Sequence, residues 1–429
     1  MAQLTEELST RRWLVAVGAF LGMVSFSISR HLYQYVLRPM ATDLDLPYER
    51  MGNIASSYFV AYAAASLAWG IVADAVGSRR AMLLGVGLIA AGLTGMGFAS
   101  SFATAFVPYL LCGAGAAGLS VPQVPLLSSW FPANRRGLAM GIAITGSGFG
   151  SFALGLVVPT VVAATNWRTA WSLAGGVALV FLVICWWLLA ESPTARKQRS
   201  ARRATAAQRP LAAGGMLRGS ADVFRQATFW NLAAIYGLFG AGYAIFITFA
   251  VAYLQEQAWT AAAAGGAAAV WGAGYMVGPT LWGSLADRIA KKWVFAISLL
   301  VQCCGLLLFL TADPVGSIVG AAAMGFGLIA IPTGMSAAAS DYFPVRITGL
   351  AFGLLTLTFG LVSVIAPTIG GMVSDATGTL RSAILLGTAM VAVALVAALL
   401  LGKPPAAGSG SRTAVPQRRD ELSTDLGTD

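Results

Sequence analysis

Twelve apolar stretches of about 20 residues recur along the chain, each long enough to cross a hydrocarbon layer roughly 30 Å thick. They run 13–37, 51–73, 81–99, 102–125, 137–162, 169–190, 227–254, 262–284, 293–312, 315–338, 347–371 and 380–401. Lipid offers no hydrogen bonds, so a spanning segment is a helix or part of a closed barrel, and these runs lack the alternation of barrel strands. The expected fold is an all-α membrane protein of twelve transmembrane helices. Composition agrees: 57% of residues are hydrophobic and 10% charged, against roughly 25% charged in a soluble domain.

The first ten residues, MAQLTEELST, are polar, and no small-residue cleavage site follows the first apolar run, so that run is expected to stay as a helix. Cys112, Cys185, Cys303 and Cys304 fall inside predicted spans without metal-ligand or redox spacing and read as packing residues. The net charge of +10 would suit nucleic acid in a soluble protein. Here its distribution gives another reason. With the N-terminus inside, 22 of the 27 Lys and Arg lie in cytoplasmic segments, while Arg38, Arg50, Arg168 and Arg381 lie in outer loops and Arg30 lies within a span. The positive-inside rule then places both termini in the cytoplasm of a plasma-membrane protein and accounts for the charge without nucleic acid.

A polar, basic segment beginning near Glu191 separates six spans from six. The expected organisation is a cytoplasmic N-terminal tail at 1–12, a six-helix bundle at 13–190, a cytoplasmic linker at 191–226, a second six-helix bundle at 227–401 and a disordered tail at 402–429. The halves repeat. GIVADAVGSRR (70–80) recurs as GSLADRIAKK (283–292), and SWFPANRRGLAMG recurs as DYFPVRITGLAFG. The separation of Asp74 from Asp287 matches, to within a single position, that of Phe131 from Phe343 and of Gly141 from Gly353. A shared offset in unrelated motifs marks an internal duplication of the kind found in secondary transporters.

On these features the chain resembles the major facilitator superfamily from about residue 12 to 402. The loop motif after the second helix is matched by Gly70, Asp74, Gly77, Arg79 and Arg80, with an echo at Gly283, Asp287, Arg288, Lys291 and Lys292. The resemblance implies two six-helix bundles related by a pseudo-two-fold axis, a central cavity and alternating access. Physically, Gly70 would permit close helix contact, Asp74 would sit against an opposing helix N-terminus, and the basic residues would bind back or face the inner leaflet. Gly70, Asp74, Arg79, Arg80, Asp287 and Arg288 are therefore candidate gating residues, forming a latch that favours the outward-open state. Ala75 and Ser78 stand where many members carry basic residues, which would weaken the N-terminal latch. The plainer reading is that these charges only enforce topology.

Arg30 occupies an expensive position, since arginine at a helix centre costs about 2.5–3.5 kcal/mol even on lenient scales. No predicted span holds an acidic residue near its middle: Asp43, Asp45, Glu49, Glu256, Asp313 and Asp375 lie at outer ends, and Asp74, Glu191, Asp222, Asp287 and Asp341 at inner ones. One reading is that Arg30 grips an anionic ligand in bidentate fashion. The other is that it snorkels outward near Tyr33, Tyr35 and Arg38. Helical spacing places Phe26, Ser27, Tyr33, Gln34 and Leu37 on its face.

His31, the chain's one histidine, points about 100° away from Arg30. It is the candidate proton-coupling residue, because imidazole titrates near neutral pH, or else a structural histidine bonded to Ser27. Helices that line the cavity in the superfamily add Gln123 between Pro122 and Pro125, where a broken helix would free carbonyls, and Tyr236 with Tyr243, Trp271 with Tyr275, Thr145 and Thr356. Substrate-binding candidates are thus Arg30, Tyr33, Gln34, Gln123, Thr145, Tyr236, Tyr243, Trp271, Tyr275 and Thr356. Aromatic and small residues also serve helix packing.

The stretch from Ser129 to Gly150 also looks like the monocarboxylate-carrier and oxalate/formate branch of that superfamily. That branch tends to carry Asp and Arg in the eighth helix or Lys in the eleventh, which this chain lacks, so its cation would have moved to Arg30. A proton-coupled multidrug or metabolite exporter of the same fold is the alternative. Exporters typically carry an arginine where Tyr109 stands, a Gly-Pro motif in the fifth helix, and membrane acids for cationic drugs. No nucleophile with its base and no metal cluster suggests an enzyme, and no cofactor is expected. The reading is a monomeric secondary transporter of a small, monocarboxylate-like organic anion, with the lipid bilayer as its solvent and a proton as candidate coupling ion.

Overall fold

The computed structural model describes residues 2–193, 223–286, 288–344, 347–402 and 404. Most of the linker (194–222), the end of the tail (405–429), Asp287, Val345, Arg346 and Lys403 lie outside the described residues. The long helices of the first half are α1 (Ala2–Leu44), α2 (Tyr48–Val76), α3 (Ser78–Gly97), α4 (Phe102–Trp130), α5 (Ala133–Ala164) and α6 (Trp167–Leu188). Those of the second are α7 (Ala227–Glu256), α8 (Ala261–Ala286), α9 (Lys291–Phe309), α10 (Pro314–Leu328), α11 (Ala330–Tyr342), α12 (Thr348–Thr377) and α13 (Arg381–Leu400).

Among the described residues ten helices are long and apolar enough to cross a membrane, or eleven when the bent α2 is counted as one span. Each of the twelve apolar runs becomes helical, the tenth as α10 and α11 together. Pro332 explains that break. It offers no N–H to the Leu328 carbonyl and its ring crowds the preceding turn, so α10 stops at Leu328. The break expected around Gln123 is not there: α4 runs unbroken through Pro108, Pro122 and Pro125. A proline removes one bond from the ladder, and packing on both sides of α4 holds the rest in place. Short turns join the helices, and capping side chains end several of them, as where Asp313 accepts the Gly316 N–H at 2.9 Å at the start of α10.

The internal repeat is visible in three dimensions. Trp69 of α2 donates from Nε1 to the Ala114 carbonyl of α4 at 2.8 Å. Trp282 of α8, its counterpart at the repeat offset, does the same to the Phe326 carbonyl of α10 at 2.7 Å. A methyl group on Gly113 would overlap the Tyr58 carbonyl, and one on Gly325 the Trp271 carbonyl. Without a hydrophobic drive in lipid, such close backbone approaches are what bind the helices of each bundle.

The two bundles meet along seams between α2 and α12, α5 and α8, and α1 and α7. The face carrying the basic loops, where α1 begins and α13 ends, is here termed the basic face, and the other the far face. On the far side the seams are tight. Gly52 packs on the Pro367 carbonyl and Gly265 on the ring of Pro159 and, at 2.6 Å for an added methyl, the Gly155 carbonyl. Gly265 is the repeat counterpart of Gly52 and Pro367 that of Gly155, so these are one crossing used twice. Toward the basic face the glycines Gly70, Gly141, Gly283 and Gly353, also repeat-related, face open space. The bundles are closed at the far face and parted at the basic face.

Candidate substrate site

Arg30 lies two thirds of the way along α1, where that helix crosses α2, α4 and α7. Its guanidinium carbon is 5.7 Å from the ring centroid of Phe26, 6.0 Å from Tyr58, 5.1 Å from Phe59 and 4.7 Å from Tyr243. Among the described residues no carboxylate pairs with it, and its Nε has no hydrogen-bond partner. Ring faces therefore carry the stabilisation, each worth about 0.5–2 kcal/mol depending on desolvation. This is no snorkelling arginine. It keeps 9% of its surface exposed, while its neighbours His31 and Leu32 keep 1% and 0%. Beside it lies a void of about 10 Å³, room for one water molecule, lined also by Tyr33, Tyr58, Phe59 and Tyr109.

The duplication sets this geometry. Tyr243 is the repeat counterpart of Arg30, Trp271 that of Tyr58 and Tyr275 that of Tyr62, all three at one and the same offset. Tyr58 and Tyr62 are parallel on α2, with centroids 6.5 Å apart and planes at 5°. Trp271 and Tyr275 form the matching pair on α8 at 5.9 Å. Equivalent aromatic pairs from the two halves thus flank the place where α1 meets α7.

His31 turns away from Arg30 toward the second bundle, with its ring edge-on to Trp271 at 4.7 Å. Ser27 Oγ donates to the Ser147 carbonyl at 2.6 Å, which uses its one proton. The 2.9 Å contact between Ser27 Oγ and His31 Nδ1 then has the imidazole as donor, leaving Nε2 to accept from the Tyr243 hydroxyl at 3.4 Å. The expected Ser27 bond is present. Tyr243 thereby touches both the imidazole and the guanidinium, although the two side chains diverge on α1.

The remaining candidates divide. Tyr33 lines the void beside Arg30, donates to the Met51 carbonyl at 2.7 Å and stacks on Tyr109 at 5.0 Å. Tyr236 stacks on Phe359 at 4.7 Å, two turns along α7 from Tyr243. Tyr275 lies within electrostatic range of the guanidinium. Gln34 and Ser27, expected on Arg30's face, are elsewhere: Ser27 serves His31, and Gln34 lines a separate void with Trp271 and Phe246. Thr145 spends its hydroxyl on the Gly141 carbonyl at 2.8 Å. Gln123 is buried with an unpartnered Oε1. Thr356 is exposed and bonded to the Phe352 carbonyl of its own helix, one turn before Phe359.

At the basic face Asp74 is exposed, Gly70 makes none of the expected close contact, and Arg79 donates to the Trp186 carbonyl at 2.8 Å within its own bundle. Arg80 and Arg288 are exposed, and Asp287 lies outside the described residues. Among the described residues no ion pair of Asp74 closes this face, and here the face is parted.

The superfamily resemblance leaves α2 out as a cavity helix, and with it Tyr58, Phe59 and Tyr62. The i, i+4 tyrosines in SSYFVAYAAAS are the available signal. Equally unread is a polar cross-link between the bundles: Thr368 Oγ1 donates to Asn53 Oδ1 at 2.8 Å and meets Ser56 Oγ at 2.9 Å.

Comparison with known proteins gives a consistent setting. The chain is 23% identical over 416 residues to a probable sulfoacetate transporter of Cupriavidus necator, covering 92% of this chain and 95% of that one. It is 28% identical to a gallate transporter of Pseudomonas putida, covering 84% and 85%, and 26% identical to monocarboxylate transporter 12-B of Danio rerio, covering 76% and 73%. Among solved structures, the nucleoside transporter NupG superposes with a TM-score of 0.75 at 14% identity, covering 92% of this chain and 100% of that one. A bacterial homologue of the lysosomal transporter Spinster gives 0.70 at 17%, covering 91% and 96%. The family model described as Major Facilitator Superfamily matches residues 15–267 and again 232–424. Two six-helix halves, their shared offset and this match agree: the chain belongs to the Major Facilitator Superfamily.

Proposed function

We propose that this protein is a secondary transporter that carries a small, monocarboxylate-like organic anion across the plasma membrane by alternating access, with Arg30 as the anion site. The observation that carries the reading is a buried guanidinium at the meeting of the two bundles, held by ring faces and, among the described residues, facing no carboxylate. Ring faces leave the in-plane N–H donors available, which is the geometry a carboxylate takes in bidentate pairing. The relatives named for sulfoacetate, gallate and monocarboxylates support an anion. The basic loops support a cytoplasmic placement of the parted face, so that the conformation described is open inward.

One chain supplies the whole site, which supports a monomer. His31 is the proposed proton site for coupled uptake, supported by its bond to Tyr243 against Arg30. The spans offer no acid for a cationic drug, which disfavours the exporter reading.

Uptake into proteoliposomes tests the proposal. Arg30→Met is expected to lower uptake of the transported anion by about tenfold to a hundredfold, the worth of hydrogen bonds to a charged group. Full uptake of every organic anion tested would overturn it. Uptake indifferent to an imposed pH gradient would remove the proton, and resistance to lipophilic cations conferred on a sensitive host would favour export.

A further inference from the structure

We infer that the anion is a flat, conjugated one, an arylcarboxylate, received between two aromatic walls that converge on Arg30. This inference rests on the proposed anion site and names the class of anion it takes. On α2 the wall is Tyr58 and Tyr62, parallel within 5°, with Phe26 of α1 edge-on to Tyr62 at 6.2 Å. On α7 it is Tyr243, Phe239 and Tyr236, successive centroids 6.3 and 6.5 Å apart and planes within 13°. Phe359 of α12 continues that wall, 4.7 Å from Tyr236. Each wall begins at the guanidinium, through Tyr58 in one bundle and Tyr243 in the other.

Most hydroxyls along these walls already have partners. Tyr62 Oη meets Ser120 Oγ at 3.1 Å, Tyr58 Oη meets Ser29 Oγ at 3.5 Å, and Thr358 donates to the Leu354 carbonyl at 3.0 Å. Neither wall is built from a carboxylate or carboxamide, so the hydroxyls of a sugar acid would find only phenolic and alcohol oxygens there to accept their protons. A saturated chain gains area alone. A conjugated ring gains area and offset stacking on both sides while its carboxylate reaches the guanidinium.

Binding of four acids to the purified full-length protein, followed by calorimetry, tests this. Benzoate is expected to bind about tenfold more tightly than cyclohexanecarboxylate, which matches it in charge and size but is not flat, with propionate and gluconate weaker still. Phe359→Leu combined with Tyr236→Leu is expected to shrink the benzoate to cyclohexanecarboxylate ratio toward one. Equal affinity for those two acids, or tighter binding of gluconate, would overturn the inference while Arg30-dependent binding left the anion reading standing. If none of the four acids bound in an Arg30-dependent way, both would fall.

Discussion

Arg30 and Tyr243 hold the same position in the two halves of the chain, and they meet with the guanidinium 4.7 Å from the ring centroid. The pseudo-two-fold relation therefore pairs a cation from one half with a π-face from the other. Tyr243 also offers its hydroxyl to His31 Nε2 at 3.4 Å. Tyr243→Phe keeps the ring and removes that hydroxyl. Anion affinity is expected to stay within about twofold, because the cation–π contact survives. Stimulation of uptake by an inward proton gradient is expected to fall, as measured in proteoliposomes with and without the gradient. Undiminished stimulation would show that Tyr243 takes no part in coupling.

Asp375 of α12 caps α2 across the far-side seam, accepting the Tyr48 N–H at 3.0 Å and the Glu49 N–H at 2.7 Å. An anion at a helix N-terminus is worth about 0.3–1 kcal/mol at an exposed site, so Asp375→Ala should shift the balance toward far-side opening by about twofold to fivefold. Spin labels at Thr42 and Gln257, at the far ends of α1 and α7, would report a larger long-distance population. An unchanged distribution would show that the clamp is dispensable.

Thr368 ties the same two helices deeper in the span through Asn53 and Ser56. Thr368→Val removes both bonds at a cost of about 0.6–1.7 kcal/mol, the range for such bonds between membrane helices. The label distribution should move as in Asp375→Ala. The two changes should add in the double variant, since two turns of helix separate the sites by about 10 Å. Non-additivity would mean the two links break as one unit.

The repeat-related glycines separate two states of the carrier. Gly265→Leu drives a side chain into Pro159 and should lower the midpoint of thermal unfolding, whereas Gly283→Leu meets open space and should leave it unchanged. Gly283→Leu should nonetheless slow transport, by obstructing closure of the basic face. Wild-type transport in that variant would show that the face closes without contact at this glycine.

Much of the architecture was readable because lipid enforces it. Span length, the common offset of the repeated motifs and the asymmetry of basic residues are all written along the chain, and so is the missing acid opposite Arg30. Lateral placement was less readable. A helix that packs on several sides shows no clean apolar stripe, so the turn of Gln34 away from Arg30, or of Tyr58 toward it, depends on tilts that sequence spacing does not carry. Prolines illustrate the same point. Pro332 interrupts its span and Pro122 and Pro125 do not, although each removes one N–H, because the neighbours decide whether the ladder reforms.

Arg30, among the described residues the one cation at the crossing of α1 and α7, also has an electrical consequence. Empty, the centre carries one positive charge, and a bound monoanion cancels it. Switching which face is closed places that charge on one side or the other of the membrane potential, a difference of up to about 2.3 kcal/mol per 100 mV. With no proton on His31, voltage should therefore act on the return of the empty carrier and pass over the one with the anion aboard. Anion exchange between two filled compartments would run at the same rate at any potential, while net transport would not.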